Sequence, residues 1–308
     1  MEQSYTWWIG FNVFILVMLA LDLGVFHRKS KEISVKEAFL WTGFWILLAF
    51  AFNVLVYYTQ GTEKAFEFFT GYLIEKSLSV DNIFVIILIF SYFQVPVAYQ
   101  HKVLFWGILG ALVMRGAFIF AGVELIHRFH WLIYIFGGFL IYTGIKIVSS
   151  GEMNLDLGKN PVLKLSRRFF SVTDKFEGDR FFVKRDGKRW ATPLFLVLML
   201  IESTDLIFAV DSIPAILAVS DDAFIVYTSN VFAILGLRSL YFALAGIERY
   251  FKYLKYGVSA ILVFVGIKMT IVDFYKIPIE ISLAFIFIAL ALATLASLLF
   301  VDREEKKK

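Results

Sequence analysis

The sequence predicts an all-α protein that crosses a membrane about nine times, and three observations lead to that fold class. Of its 308 residues, 59% are hydrophobic and only 18% charged, with a mean hydropathy of +0.75. A soluble core does not absorb that much apolar surface. Nine apolar runs have the length of a spanning helix, which needs roughly 20 residues to cross the hydrocarbon layer. Finally, two stretches repeat each other's motifs in the same order, as an internal duplication does.

In chain order, the first run is Trp7–Phe26. No basic residue precedes it and the basic stretch His27–Lys36 follows, so it reads as a retained helix and not a cleaved signal peptide. Further runs are Ala38–Tyr58, Thr70–Phe93, Val103–Glu124, Phe129–Ser149, Pro193–Val219, Ala223–Ile247, Lys252–Val272 and Ile279–Val301. Lys and Arg concentrate in alternate connections: His27–Lys36, His101-Lys102, Ser150–Thr192, Arg249–Lys255 and the tail ending in Lys306–Lys308. Positive flanks stay cytoplasmic. The N-terminus and Asp221-Asp222 are therefore expected outside, and the long loop and the C-terminus inside. Trp7, Trp8, Trp41, Tyr57, Tyr58, Trp131 and Trp190 fall near predicted helix ends, where an aromatic belt sits.

The organising stretch is Ile201–Pro214, IESTDLIFAVDSIP, which places Glu202, Asp205 and Asp211 within a spanning segment. One charge at the bilayer centre costs about 2.5–3.5 kcal/mol on insertion scales, so a functional site is the default reading. Ile74–Ile83, IEKSLSVDNI, repeats the pattern: Glu75 and Asp81 are six residues apart, as Asp205 and Asp211 are. Ala121-Gly122-Val123-Glu124 and Ala245-Gly246-Ile247-Glu248 follow, then Gly144-Ile145-Lys146 and Gly266-Ile267-Lys268. The repeats span 70–149 and 193–273, with the cytoplasmic loop 150–192 between them in a single transmembrane domain. Three helices per copy make the second copy enter from the opposite side, so the repeat is inverted. Transporters of this design hold substrate near the midplane, where interrupted helices meet, and Pro214 predicts such an interruption. Ser79, Asn82 and Ser212 offer neutral oxygens there. Residues six apart on a regular helix lie about 120° from a common face, so Glu75 and Asp81 converge only if the helix unwinds or else face different partners.

Carboxylate and carbonyl oxygens suit Mg²⁺, Ca²⁺ and Mn²⁺. The chain has no cysteine, and its four histidines, His27, His101, His127 and His130, lie at predicted helix ends. Residue types thus point to a hard divalent cation without choosing among the three. No cofactor is expected to be bound permanently. Desolvated neighbouring carboxylates can trade a proton for a metal, so export coupled to protons is a natural expectation.

SLSVDNIFV at Ser77–Val85 and FAVDSIPAILAVS at Phe208–Ser220 resemble the paired signatures of the TerC family of integral membrane proteins, and the long basic loop after the fifth helix resembles its Alx branch. The resemblance implies a nine-helix, multi-pass protein of the bacterial inner membrane, related to LysE-type exporters and associated with Mn²⁺ export. It carries the functional acids onto Glu75, Asp81, Glu202, Asp205 and Asp211. Mn²⁺ is then the expected transported substrate, and the chain is not expected to be an enzyme.

Other readings compete. The acids can form structural ion pairs with Arg115, Arg238, Lys76 and Lys268. Asp22 reads first as an interfacial charge or cap and second as an auxiliary ligand. Asp221-Asp222 reads as a solvated loop or as a cation collector at the outer mouth. An intramembrane aspartyl protease needs two buried Asp residues, but the Gly-x-Gly-Asp context is missing. A stress-response scaffold or helper protein without transport activity needs a partner surface and no acid cluster. The loop 150–192 carries ten Lys or Arg against six acids, and Phe181–Trp190 reads as a β-hairpin turning at Asp186-Gly187. Its basic face is expected on anionic lipid headgroups, the bilayer being its partner and not nucleic acid.

Overall fold

The structure, a computed structural model, describes residues 5–24, 35–129, 131–149, 171–185, 187–245 and 253–305. Among them are α1 (Tyr5–Gly24), α2 (Val35–Gln60), α3 (Thr62–Tyr92), α4 (Val97–Arg128) and α5 (Leu132–Ser149). The hairpin strands β1 (Phe182–Arg185) and β2 (Lys188–Ala191) come next. Then follow α6 (Pro193–Leu217), α7 (Ala223–Ile234), α8 (Leu237–Leu244), α9 (Leu254–Thr270) and α10 (Ile279–Glu305). Because α7 and α8 are two halves of one span, Ala223–Leu244, the described helices make nine spans, in line with the sequence.

Six of these are long and apolar enough to cross a membrane on length and composition alone. The others show why such a criterion misses spans. The α3 segment carries Glu63, Lys64, Glu67, Glu75, Lys76 and Asp81, α9 has only 17 residues, and α1 is a shorter apolar run over Tyr5–Ala20. The ends of α3 and α4 also reach further than hydropathy indicates, to Thr62 and Arg128, because helical hydrogen bonding continues where the apolar run has stopped. Gly61 makes the corner between α2 and α3 at φ 94°, in the left-handed region that glycine enters without steric cost.

Spanning helices α3, α4, α6 and α7–α8 form the inner layer. In α7 every residue from Phe224 to Ile234 except Tyr227 is buried. Leu47 in α2 and Leu292 and Leu299 in α10 point outward and are largely exposed, as side chains facing lipid would be.

The interruption lies elsewhere than proline predicts. The α6 helix continues through Pro214. Pro214 removes one donor, yet its own carbonyl accepts from Ala218 N at 3.0 Å, and the helix ends at Leu217 in the same turn. The break falls instead in the next span, where Leu235 is extended (φ −58°, ψ 133°) and Gly236 is left-handed (φ 79°). A Cβ on Gly236 would stand 2.7–2.8 Å from Trp45 of α2. Backbone conformation and close packing thus both require glycine there.

The most extensive pairing joins α5 and α9 through small residues. Gly137 lies against Gly266, and Ser259 donates to the Gly144 carbonyl at 2.5 Å. Gly144 and Gly266 occupy the same place in the repeated Gly-Ile-Lys motif, and Gly137 and Ser259 precede them by seven residues. Exchanging each residue for its counterpart therefore turns one contact into the other. A Cβ on Gly266 would meet the Gly137 carbonyl at 2.6 Å and Ile141 N at 2.9 Å, both backbone atoms. Gly266→Ala is expected to destabilise the fold by about 1–3 kcal/mol, measured as a lower thermal midpoint in detergent.

The hairpin forms as its Asp-Gly turn predicts: β1 and β2 pair antiparallel with Arg185 opposite Lys188, and Gly187 has φ 75°. Residues 150–170 of that loop lie outside the described residues.

Candidate functional site

Glu75 of α3, Arg115 of α4 and Asp205 of α6 meet inside the inner layer. Arg115 is 2% exposed. Its Nη1 forms an ion pair with Glu75 Oε1. Nη2 donates to Asp205 Oδ1 at 2.9 Å and Nε to Asp205 Oδ2 at 3.3 Å, a two-point grip that a guanidinium fork makes and an ammonium does not. Nη1 also donates to Ser212 Oγ at 3.3 Å, and Asn82 Nδ2 donates to Asp205 Oδ1 at 3.3 Å. Asp205 and Ser212, seven apart on α6, share a face, as two turns of helix require. Glu75 and Asp205 hold matching places in the repeated motif, as do Asn82 and Ser212. Arg115 therefore stands between equivalent acids of the two stretches.

Beside it is a cavity of about 30 Å³, lined among others by Ser79, Asn82, Arg115, Thr204, Asp205 and Ile234. That is room for about two water-sized groups. Glu202 lies one turn from Asp205 on α6, and its carboxylate presses on Gly110 of α4, where a Cβ would collide with it. Gly110 is thus the gap that admits Glu202.

Among the buried oxygens of the described residues that have no hydrogen-bond partner, four gather at this site: Glu75 Oε2, Ser79 Oγ, Asn82 Oδ1 and Glu202 Oε2. Each unmade interaction costs about 1–3 kcal/mol. Native interiors keep few of these, so a cluster of them calls for a role.

Of the residues expected at a metal site, Glu75, Asp205, Asn82 and Ser212 are brought together, with Glu202 adjacent. The side chains of Asp81, Asp211 and Asp22 lie outside the described residues; their backbones belong to α3, α6 and the last turn of α1. The α3 helix does not unwind between Glu75 and Asp81. Among the described residues, no group of three or more His, Asp or Glu side chains is arranged as a metal cluster. The ion-pair reading holds for Arg115. Among the described residues, Lys76 donates instead to the Ala233 carbonyl at 3.2 Å and Lys268 to Ser282 Oγ at 3.1 Å. Asp222 caps α7, accepting from Phe224 N at 2.9 Å and Ile225 N at 3.3 Å.

Sequence reasoning missed Thr204, Gly110 and the buried Glu67. Glu67 pairs with Lys64 at 2.7 Å and accepts from Ser220 Oγ at 2.5 Å. An acid inside the apolar run Ala65–Thr70 was the available signal.

The family model described as "Integral membrane protein TerC family" matches residues 60–306. The chain is 53% identical over 292 residues to "Uncharacterized membrane protein STKORF319" of Myxococcus xanthus, covering 95% of this chain and 92% of that protein. It is 49% identical over 310 residues to "Putative membrane-bound redox modulator Alx" of Salmonella typhi, covering 98% and 96%. A protein of the same name from Escherichia coli K12 is 47% identical, covering 98% and 97%. No solved structure matches significantly. With most of its length matched by the family model and near-complete coverage of these relatives, the chain belongs to the TerC family of integral membrane proteins.

Proposed function

We propose that the protein exports a hard divalent cation, Mn²⁺, through a carboxylate-lined site at the junction of two inverted three-helix repeats. One observation carries this reading: unpartnered oxygens of Ser79 and Asn82 line a buried cavity together with Asp205 and Arg115, and further unpartnered oxygens of Glu75 and Glu202 stand beside it. Glu75, Glu202 and Asp205 against Arg115 leave two formal negative charges (three minus one) before the neighbouring Lys76 is counted, and one after it. Carboxylate, amide and hydroxyl oxygens are hard ligands. The exchange of the Gly137–Gly266 and Gly144–Ser259 contacts supports a two-fold relation between the repeats. The interrupted α7–α8 span at the cavity supports the transporter design. Mn²⁺ over Mg²⁺ and Ca²⁺, the bacterial inner membrane, and the outside N-terminus and inside C-terminus rest on the family resemblance and on loop charge. The relatives' name, redox modulator, is compatible, because the supply of a redox-active metal changes redox chemistry without any cysteine in the chain.

A scaffold or helper without transport is the second reading, favoured by Arg115, which closes Glu75 and Asp205 into an ion pair. Sealed vesicles containing the purified protein separate the two. Mn²⁺ flux should follow an imposed Mn²⁺ gradient, with Mg²⁺ and Ca²⁺ competing more weakly. Vesicles no more permeable to Mn²⁺ than protein-free ones would leave the scaffold reading.

A further inference from the structure

We propose that the carbonyl end of α7 is a second cation subsite, and that the Lys76 ammonium is the tethered cation that fills it while no metal is bound. The proposal rests on reading the neighbouring cavity as a cation site. The α7 helix stops at Ile234 inside the protein. The last carbonyls of a helix have no intrahelical partner and carry the negative end of its dipole. The Val231 carbonyl accepts from Leu235 N at 2.9 Å, across the break. The Ala233 carbonyl accepts from Lys76 Nζ at 3.2 Å. Ile234 and Leu237, on either side of the break, line the cavity together with Ser79, Asn82 and Asp205. The end of the half-helix therefore borders the same cavity as Ser79, Asn82 and Asp205.

The choice of partner for Lys76 is the telling observation. Lys76 follows Glu75 directly on α3 and is one turn from Ser79. No carboxylate among the described side chains lies within ion-pair distance of it, and a backbone carbonyl takes its ammonium instead. An ammonium is a compact point charge on a flexible four-carbon stem. Here it stands where a hard cation would find a carbonyl ligand, and it cancels one of the two negative charges left over by Glu75, Glu202, Asp205 and Arg115. A divalent ion entering the cavity repels the ammonium, which swings away and frees the Ala233 carbonyl as a further oxygen ligand. When the ion leaves, Lys76 returns. The lysine thereby weakens metal binding and speeds release, which keeps a carboxylate site from trapping its substrate.

The full chain in detergent tests this with Lys76→Gln, which removes the charge while keeping an amide donor for the carbonyl, and with Lys76→Met, which keeps the stem alone. Mn²⁺ and Mg²⁺ binding is measured by titration calorimetry, Mn²⁺ flux in proteoliposomes, and thermal stability on each variant. Both variants should bind Mn²⁺ about tenfold or more tighter than the wild type, because a nearby positive charge has gone, and both should turn over more slowly. Lys76→Arg should keep an affinity near wild type. Unchanged or weaker Mn²⁺ binding by Lys76→Gln, with or without a lower thermal midpoint, reduces Lys76 to a helix cap and overturns the proposal alone. A wild-type protein that binds neither ion overturns the cation reading and this proposal with it.

Discussion

Arg115→Met is expected to be the most destabilising single change in the inner layer. It strands Glu75, which is fully buried, and Asp205 beside it, each without its guanidinium. Removing one partner of a buried ion pair costs about 3–5 kcal/mol, mostly as the penalty of the charge left behind. Here two carboxylates share the one cation, so the upper end of that range is expected. The triple variant Arg115→Met, Glu75→Gln, Asp205→Asn removes all three charges together and should recover most of the loss. Thermal unfolding in detergent measures both. If Arg115→Met unfolds at the wild-type midpoint, the three groups are not an ion-pair network.

Asp205→Asn has the opposite profile, with transport lost and the fold kept. Arg115 still has Glu75 as its partner, and the amide preserves the side-chain volume, so the thermal midpoint should move little. A divalent cation in the cavity loses a ligand charge near it. At about 4 Å and an effective dielectric of about 20, even two unit charges interact by about 4 kcal/mol. Every 1.4 kcal/mol is tenfold, so Mn²⁺ flux should fall at least about a hundredfold. Glu202→Gln should lose flux as well and gain stability, because Glu202 Oε2 has no hydrogen-bond partner among the described residues. The matching Asp81→Asn and Asp211→Asn changes are expected to abolish flux on the sequence argument alone. Wild-type Mn²⁺ flux through a well-folded Asp205→Asn variant would remove Asp205 from the transport path.

Composition and periodic motifs by themselves determined that this chain is a helical membrane protein of about nine spans, since 59% hydrophobic residues leave no soluble alternative. The same reasoning found Glu75, Glu202 and Asp205, because a charge inside a spanning segment is costly wherever it points. The hairpin was legible too, as an Asp-Gly turn is a local signal that needs no tertiary partner. Only the tertiary structure decided how these parts engage. Pro214 looked like the interruption, but α6 runs through it to Leu217. At the actual break Gly236 packs closely against Trp45, a residue 191 positions away in the chain (236 minus 45). Of the counter-charges that the sequence offered for the acids, the structure sets Arg115 between Glu75 and Asp205 and turns Lys76 to the Ala233 carbonyl. Periodicity assigns a side chain to a helix face, but it does not say which face of which other helix comes against it. In an inner layer where almost every face is apolar, that choice is made by a few glycines and buried charges whose partners lie far away in sequence.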